Sequence, residues 1–415
     1  MVFFENLLNY KPGGLHPVHI GDTFAEGRYE VIDKLGHGCS STIWLVRDST
    51  TANYVSLKII EACRSESPSE FAVLKHLEAT YDAEDEGSQY VVRMLDHFVH
   101  EGPNGAHLCI VQELLGPSLT LDLERFYDSA LPSETASRLV GQLVLAVDYL
   151  HKRGVAHGDL HTGNILLCIP STLNFDFGSP ITDNRRLPTT PTPHMPKYLV
   201  IPLVRRFTNS FIWSCMLKPQ IKLCDFSESY MASMTTPPRL ACPHILRPPE
   251  GILTQLPHAT LALDIWALAV VMYQILTNGE LLFFQFDDYI LEAITLTLGK
   301  FPEPLWSSWS NRAEFFDDDG NPVHRPGQSD TASMTSLSEK AEGRTDDKQE
   351  NAALAAMLEM MLRYDAESRS SSSDLVQCEW IVEYCRPYMG DDVILPEERT
   401  KVVYLTEKES CARNT

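Results

Sequence analysis

The chain has 415 residues, of which 44% are hydrophobic, and its 56 acidic and 34 basic side chains give a formal net charge of -22. A chain of this length and apolar content can bury sizeable cores, which excludes a largely disordered protein. The negative charge disfavours direct nucleic-acid binding, which needs a basic surface, and suits a basic partner such as an arginine-rich peptide. An acidic surface without a specific partner is the alternative.

The cysteines and the apolar segments indicate the compartment. The ten cysteines form no C-x-x-C pair, so we expect core thiols in a reducing compartment. The first residues lack the basic and apolar regions of a signal peptide. The most apolar helical run, residues 265–276, is too short to span a bilayer and is interpreted as a buried core helix. We therefore expect an intracellular monomer, in the cytoplasm or nucleus, without a membrane partner.

The N-terminal part of the chain, residues 1–112, is rich in predicted strands. A helix is predicted at residues 69–77, where Phe71, Leu74 and Leu77 recur at helical spacing. Short β-branched or aromatic runs bounded by turn residues predict strands at 29–35, 41–46, 54–60 and 108–112.

From Gly116 onward the pattern is helical. A strand-rich part followed by a helical part predicts an α+β fold of two lobes with a cleft between them. The proline-rich residues 170–219 and the polar residues 317–350 are predicted to be inserted surface loops or disordered linkers. Apolar residues recur at helical spacing in 135–152, 262–277 and 352–363.

A glycine-rich loop lies between the first two predicted strands. Gly36, His37 and Gly38 are followed by Ser41, which stands where a third glycine would complete a phosphate-binding pattern. Glycine lets the backbone turn tightly and bring its N–H groups to phosphate oxygens. Taken alone, such a loop is more often an ordinary hairpin turn.

Lys58 lies near the end of the next predicted strand, where a lysine could grip the α- and β-phosphates of a bound nucleotide. Glu70, on the helix that follows, is a candidate partner that would hold Lys58 in place. A solvated lysine and an exposed helix glutamate are the alternatives.

The strongest signal is the run HGDLHTGN at residues 157–164, between a predicted helix and an apolar strand. Asp159 would accept the proton of a substrate hydroxyl and orient it for in-line attack. Asn164, five residues later, would hold a magnesium ion. A polar loop with a helix-capping aspartate is the alternative.

A second carboxylate, which would bind the metal, has two candidates. Asp225 follows the clean strand at 221–224, and Asp176 lies in the sequence Phe-Asp-Phe-Gly at 175–178. Asp225 is preferred because the segment from it to the Pro-Pro-Glu at 248–250 has a plausible length for an activation loop, whereas from Asp176 it would be far too long. As magnesium ligand, Asp225 would help to neutralise the charge that builds in the transition state.

Three charged residues further along the chain complete the series of motifs. Glu250 has a candidate partner in Arg369. Asp264 opens the central apolar helix, where its carboxylate would hold the backbone of the catalytic loop. Each residue alone is unspecific because surface charges are usually solvated.

In this order, the motifs resemble the eukaryotic protein kinase family over about residues 28–385. Within that family the chain looks most like the SR-protein kinases, which phosphorylate serines in arginine/serine-rich splicing factors. The insert at 170–219 falls where those kinases carry their spacer. The supporting segments are 10–22, 27–32, 35–38, 41–45 and 91–98.

The resemblance implies a bilobal protein kinase fold with a β-rich N-lobe and a helical C-lobe. It also implies a serine/threonine kinase that uses ATP and Mg²⁺. The expected boundaries are an N-terminal extension at 1–27, the N-lobe at 28–112, the C-lobe with its inserts at 113–388, and a mobile tail at 389–415.

The resemblance further implies the residues of the site. Gln112 takes the gatekeeper position, and Leu166 would pack beneath adenine. The catalytic set is Asp159, Lys58, Glu70, Asn164 and His161, and the metal ligands are Asn164 and Asp225. The nucleotide-binding set is Leu35, Gly36, His37, Gly38, Ser41, Ile43, Lys58, Glu113, Leu115 and Leu166. The regulatory spine would be Leu74, Leu95, His157 and Phe226, and basic peptides would dock near Asp287, Asp288 and Glu292.

Three positions depart from the family pattern. Gly158 replaces the arginine before Asp159, which predicts activity without activation-loop phosphorylation. His161 replaces a lysine that touches the γ-phosphate, which predicts slow turnover, and Ser227 replaces a glycine. The alternatives are a small-molecule phosphotransferase of the aminoglycoside-kinase type, which also carries this catalytic-loop pattern, and an ATP-binding pseudokinase scaffold.

Overall fold

The structure is a computed structural model that describes residues 4–390. The predicted tail therefore lies almost wholly outside the described residues, as does the alternative metal ligand Asp176. Excluded within the range are 67–68, 121–130, 172, 174–176, 185–191, 235–239, 241, 255–259, 284–287 and 325–332.

A six-stranded antiparallel sheet forms the N-terminal lobe, with α1 (Ser69–Ala79) packed beside it. Its β-branched and aromatic residues suit a pleated surface buried on one or both faces. All four strands predicted from the sequence are confirmed. The strands are β1 (Thr23–Phe24), β2 (Tyr29–His37), β3 (Ser41–Asp48), β4 (Tyr54–Ile60), β5 (Met94–Gly102) and β6 (Gly105–Glu113), in the order β1-β2-β3-β4-β6-β5.

Helices dominate the rest of the chain. The predicted helices at 135–152, 262–277 and 352–363 are confirmed as α2, α5 and α9. The helices are α2 (Ser133–Lys152), α3 (Asn209–Met216), α4 (Pro249–Leu253), α5 (Leu261–Leu276), α6 (Asp288–Leu298), α7 (Leu305–Ser308), α8 (Leu337–Ala341), α9 (Lys348–Met361), α10 (Ser372–Val376) and α11 (Arg386–Met389), with a π-helix at Trp380–Cys385.

The central helix α5 is apolar on nearly every side and is buried almost throughout. A helix that is hydrophobic all round belongs in the core of a large domain, and α5 packs against α2 there. Among the described residues, no helix has the length and apolarity needed to cross a bilayer.

Three short pairs of strands lie in the part of the chain that follows α2. They are β7 (Val155–Ala156) with β12 (Tyr230–Met231), β8 (Ile165–Leu167) with β11 (Ile221–Leu223), and β9 (Thr182–Asp183) with β10 (Leu199–Val200). In the second pair Ile165 lies opposite Leu223. Asn164 and Asp225, which flank these strands, are thereby brought to the same end of the pair, although an insert separates them in the chain.

The described parts of both predicted inserts are more ordered than expected. In the first, α3 buries Phe211, Ile212, Cys215 and Met216, and Leu199 joins an apolar cluster with the N-terminal segment. In the second, α8 begins with a capping box at Ser336 and buries Leu337 and Ala341. Their polar and proline-rich composition concealed short apolar runs that pack against other parts of the chain.

Candidate active site

A cavity of about 300 Å³ lies between the two lobes. A larger cavity of about 690 Å³ lies beside α2 and α9, and it contains none of the predicted site residues. The interlobe cavity is lined by Leu35, Gly36, His37, Ile43, Ser56, Lys58, Val92, Gln112, Glu113, Leu115, Gly116, Ser118, Gly163, Asn164, Leu166, Val204, Cys224 and Asp225.

Most of the nucleotide-binding residues expected from the sequence line this cavity, but Gly38 and Ser41 do not. Ser41 is buried in the sheet, where it pairs with Ile60. Gly36 lines the cavity, and nothing lies within 4 Å of the place where a Cβ atom would project.

Lys58 joins the two lobes at the cavity wall. Its Nζ lies 2.6 Å from Oε1 of Glu70 on α1 and 2.9 Å from Oδ1 of Asp225 after β11. β4 fixes Lys58 opposite Ile43 and Ile110, in the middle of the sheet. Lys58 therefore contacts Glu70, its expected partner, and also Asp225, the expected metal ligand.

These contacts shift two pKa values. Burial alone would lower the pKa of Lys58, but the carboxylates of Glu70 and Asp225 outweigh it and raise this pKa above its usual value. Burial tends to raise the pKa of Asp225, but attraction and hydrogen bonding to Lys58 lower it to about 2. Lys58 is therefore cationic and Asp225 anionic at neutral pH.

Asp225 has a left-handed backbone, with a φ of 61°. Aspartate tolerates this region better than bulkier residues, and such outliers often mark functional sites. This backbone follows directly after the regular strand β11, and Oδ1 of Asp225 also accepts the N–H of Ser227 at 3.4 Å.

The catalytic loop places Asp159 beside Asn164. The side-chain amide of Asn164 donates to the backbone oxygen of Asp159 at 2.9 Å. Oδ1 of Asp159 is buried and has no hydrogen-bond partner among the described residues. A buried carboxylate oxygen without a partner is costly, so it is suited to receive a donor from a bound substrate.

Asp264 at the start of α5 fixes the backbone of this loop. Its two oxygens accept the N–H of His157 at 2.6 Å and the N–H of Gly158 at 3.0 Å. The ring of His151 lies 3.1 Å from the same carboxylate. This confirms the expectation that Asp264 holds the catalytic-loop backbone.

His161 adjoins Asp159 in a defined orientation. Its Nδ1 accepts the N–H of Gly163 at 3.0 Å, and its Nε2 lies 3.6 Å from Oδ2 of Asp159. An Nδ1 that accepts a hydrogen bond carries no proton, so the proton of the neutral ring is on Nε2. That N–H is on the side of the ring nearer to Asp159.

Gly158 is required by its surroundings. It has a φ of +79°, and a Cβ atom there would lie 2.4 Å from the carbonyl oxygen of Glu228. The activation segment is held here by two contacts: the side-chain hydroxyl of Ser229 donates to the carbonyl oxygen of His157 at 2.7 Å, and β12 pairs with β7.

The expected regulatory spine needs one correction. Leu74, His157 and Phe226 are buried, and the His157 and Phe226 rings lie 5.4 Å apart, but Leu95 is 54% exposed. Successive residues of a strand point to opposite faces, and its neighbour Met94 packs against the core instead. A bulge between Met94 and Asp96 also shifts the register of β5.

Two further expectations have different outcomes. Glu250 and Arg369 form the expected ion pair at 2.7 Å. The acidic docking group is not supported at Glu292, which is only 5% exposed because it faces inward from α6. Asp287 and the side chain of Asp288 lie outside the described residues.

Sequence reasoning missed several lining residues, namely Ser56, Val92, Gly116, Ser118, Gly163, Val204 and Cys224. Most are neighbours of expected residues on the same strands or loops. Val204 is different because it belongs to the insert, whose sequence carries no signal for a place in the cleft.

The residues present fit Mg²⁺ and ATP. Asp225 and Asn164 offer hard oxygen donors at one end of the cavity, the kind that Mg²⁺ prefers. A magnesium ion bound with substrate phosphates needs only one or two protein ligands. The apolar part of the cavity, formed by Leu35, Ile43 and Leu166, suits a flat base.

Comparisons with known proteins agree with this geometry. Residues 29–189 match the family model described as protein kinase domain. Protein kinase dsk1 of Schizosaccharomyces pombe is 38% identical over 169 residues, which cover 40% of this chain and 31% of that protein. SRSF protein kinase 3 of Homo sapiens is 36% identical over 168 residues, which cover 40% and 30%.

A third relative aligns over nearly the full length. Serine/threonine-protein kinase SRPK of Physarum polycephalum is 28% identical over 420 residues, which cover 93% of this chain and 91% of that protein. The chain thus spans less than a third of the length of dsk1 and of SRSF protein kinase 3, and about nine-tenths of the Physarum protein.

Proposed function

Because this chain belongs to the eukaryotic protein kinase family, and resembles the SR-protein kinases within it, we propose that it transfers the γ-phosphate of ATP to serine or threonine hydroxyls of proteins. One observation carries the proposal. Lys58 contacts both Glu70 and Asp225 at the wall of the interlobe cavity, which Asn164 also lines, and the Asn164 amide donates to the backbone of Asp159.

Different residues around the cavity bind the phosphates, the adenine and the metal ion. Lys58 grips the α- and β-phosphates, and Glu70 holds Lys58 in place. Leu35, Ile43 and Leu166 enclose the adenine, with the backbone of residues 113–115 as the hinge. Asp225 and Asn164 would hold Mg²⁺, which neutralises negative charge that develops on the phosphates when it is bound.

Asp159 directs the chemical step. Its carboxylate accepts the proton of the substrate hydroxyl as the bond from that oxygen to the γ-phosphorus forms and the bond to the ADP oxygen breaks. Oδ1 of Asp159 has no partner among the described residues, which supports this role. His161, an imidazole in place of the usual lysine, stabilises the transition state less than the permanent cation of a lysine would.

The substrate class follows from charge and resemblance. A net charge of -22 favours basic peptides, and the relatives include proteins named serine/threonine-protein kinase SRPK and SRSF protein kinase 3. We therefore propose arginine/serine-rich proteins as substrates. The packing of Gly158 against the activation segment, without an arginine to bind a phosphate, supports activity that needs no phosphorylation of that segment.

The remaining expectations belong to the same proposal. The kinase is an intracellular monomer of the cytoplasm or nucleus without nucleic-acid or membrane partners. Its N-lobe comprises residues 28–112 and its C-lobe residues 113–388, between the N-terminal extension and the tail.

The decisive experiment compares wild type with Asp159→Ala. Wild type should bind Mg-ATP in a thermal shift assay and phosphorylate an arginine/serine peptide. The variant should bind ATP almost as well but lose activity by about 100-fold or more, the range of general-base catalysis. Transfer to an aminoglycoside instead of the peptide, or binding without any transfer, would overturn the proposal.

A further inference from the structure

Two segments outside the matched kinase domain hold the strand that leads into the glycine-rich loop. We call residues 4–20 and 192–206 together the strap. Neither segment falls within residues 29–189, which match the family model. The strap contacts β2 immediately before Leu35 and Gly36, the first residues of the loop.

The two segments of the strap form one packed unit. Phe4, Tyr10, Leu15 and Leu199 are buried together in a single apolar cluster. Hydrogen bonds also join the segments: the hydroxyl of Tyr198 accepts the N–H of Ile20 at 3.0 Å. A displacement of one segment would therefore disturb the other.

Each segment supplies one buried ion pair to β2. Asp33 and Lys34 are both 0% exposed. Lys34 pairs with Glu5 of the N-terminal segment, and Asp33 pairs with Arg206 at the end of the insert segment. A buried charge is strongly unfavourable without its partner, so the strand keeps this position only while both segments are in place.

The strap also reaches the nucleotide cavity itself. The amide of Asn9 donates to the backbone oxygen of Cys39 in the glycine-rich loop at 3.4 Å. Val204 lines the cavity beside Leu35 and Gly36. The strap therefore contacts both the loop and the mouth of the cleft.

From these contacts we propose that the strap is part of the nucleotide site and that Arg206, Asp33, Glu5 and Lys34 are positioning residues for the phosphate-binding loop. The inference rests on the proposed function, since it concerns how the same site binds ATP. Glycine-rich loops are pliable, and gripping phosphates requires backbone N–H groups at defined positions. The strap supplies that constraint from outside the sheet.

The test uses a double substitution, Asp33→Asn with Arg206→Met, which removes the ion pair without leaving a buried charge. A second, independent variant is Glu5→Gln with Lys34→Met. The matched control is Arg28→Met with Asp48→Asn, which removes the ion pair of 3.0 Å at the opposite end of the β2–β3 hairpin. Thermal unfolding shows that each variant folds.

Dissociation constants for ATP and for adenosine separate positioning from general destabilisation, because adenosine lacks phosphates. We expect each strap variant to bind ATP at least tenfold more weakly, since misplacement by about 1 Å costs up to about 100-fold. Adenosine affinity should be unchanged, and the control should bind both as wild type does.

Unchanged ATP affinity in both strap variants would overturn the inference, and so would an equal loss of ATP and adenosine affinity. Wild-type protein that binds ATP but transfers no phosphate would refute the proposed function and leave this test valid. Wild-type protein that binds neither ligand would refute both.

Discussion

The carbonyl oxygen of Glu228 lies so close to Gly158 that a Cβ atom on that glycine would be 2.4 Å away. The residue before the catalytic aspartate is thus fixed by the backbone of the activation segment. A side chain at this position cannot be accommodated unless the segment moves.

We therefore expect Gly158→Arg to inactivate the protein rather than make it responsive to phosphorylation. The positive φ alone costs about 1–3 kcal/mol for a residue other than glycine, and the clash with Glu228 adds to it. A peptide phosphorylation assay with a thermal unfolding curve measures both effects. Gly154→Ala is the matched control, because Gly154 also has a positive φ, +66°, but nothing lies within 4 Å of its Cβ position. Full activity of Gly158→Arg would contradict this prediction.

Asp225→Asn should lower Mg²⁺-dependent turnover by roughly 100-fold, because loss of a ligand carboxylate weakens the metal and its charge compensation. Steady-state rates over a magnesium titration are the measurement. Asp176→Asn, in the competing sequence motif, should leave the titration unchanged. The opposite pattern would transfer the metal role to Asp176.

Glu70→Gln should destabilise the protein by about 1–3 kcal/mol, since a buried charge-assisted hydrogen bond to Lys58 is lost. The affinity for ATP should fall at the same time because Lys58 loses its anchor. Chemical denaturation and ATP titration test the two effects. Glu78→Gln on the same helix removes a half-exposed ion pair with Arg93 and should change stability little. Equal behaviour of the two variants would be evidence against a special role for Glu70.

His161→Lys should increase kcat by up to about tenfold, because a permanent cation near the γ-phosphate stabilises developing negative charge better than a neutral imidazole. His161→Gln keeps a neutral donor and should have a kcat close to that of wild type. Rates measured at pH 7.5 with saturating ATP make the comparison. A slower lysine variant would show that the interaction of His161 with Asp159 or Gly163 matters more than its charge.

The contribution of Asp225 to the stability of the fold should decrease as the pH falls. Its folded pKa of about 2 lies below the ordinary aspartate value of 3.8, so the ionised form is favoured by folding. Its stabilising effect is fully present above about pH 4 and is lost as the pH falls toward 2. The difference in unfolding temperature between wild type and Asp225→Asn should therefore shrink from pH 5 to pH 3. A difference that grows in this range would contradict the lowered pKa.

Much of the site could be predicted because its residues lie next to regular elements. Lys58 lies in a strand where apolar residues alternate, Asn164 directly precedes strand β8, and Asp159 lies in the loop between β7 and β8. The periodicity of apolar residues and the short motifs can both be read from short stretches of the chain. Their combination was enough to indicate the two-lobed fold and the pairing of Lys58 with Glu70.

The errors concern positions that depend on tertiary packing. Leu95 differs from Met94 by one step in a strand, and a bulge decides which of them faces the core. Val204 and Arg206 belong to a proline-rich insert whose contacts with β2 span more than a hundred residues of sequence. Such long-range contacts leave no periodic pattern in a single sequence.

The pairing of β8 with β11 also has a consequence for synthesis of the chain. Asn164 is translated well before Asp225, and the strand that brings them together is complete only when residue 223 has left the ribosome. A nascent chain that ends near residue 189, where the family match ends, already contains the catalytic loop but neither Asp225 nor helix α5. Such a chain would have no counter-charge for Lys58 from the C-lobe and no Asp264 to order the catalytic loop, so catalytic competence must arise late in translation.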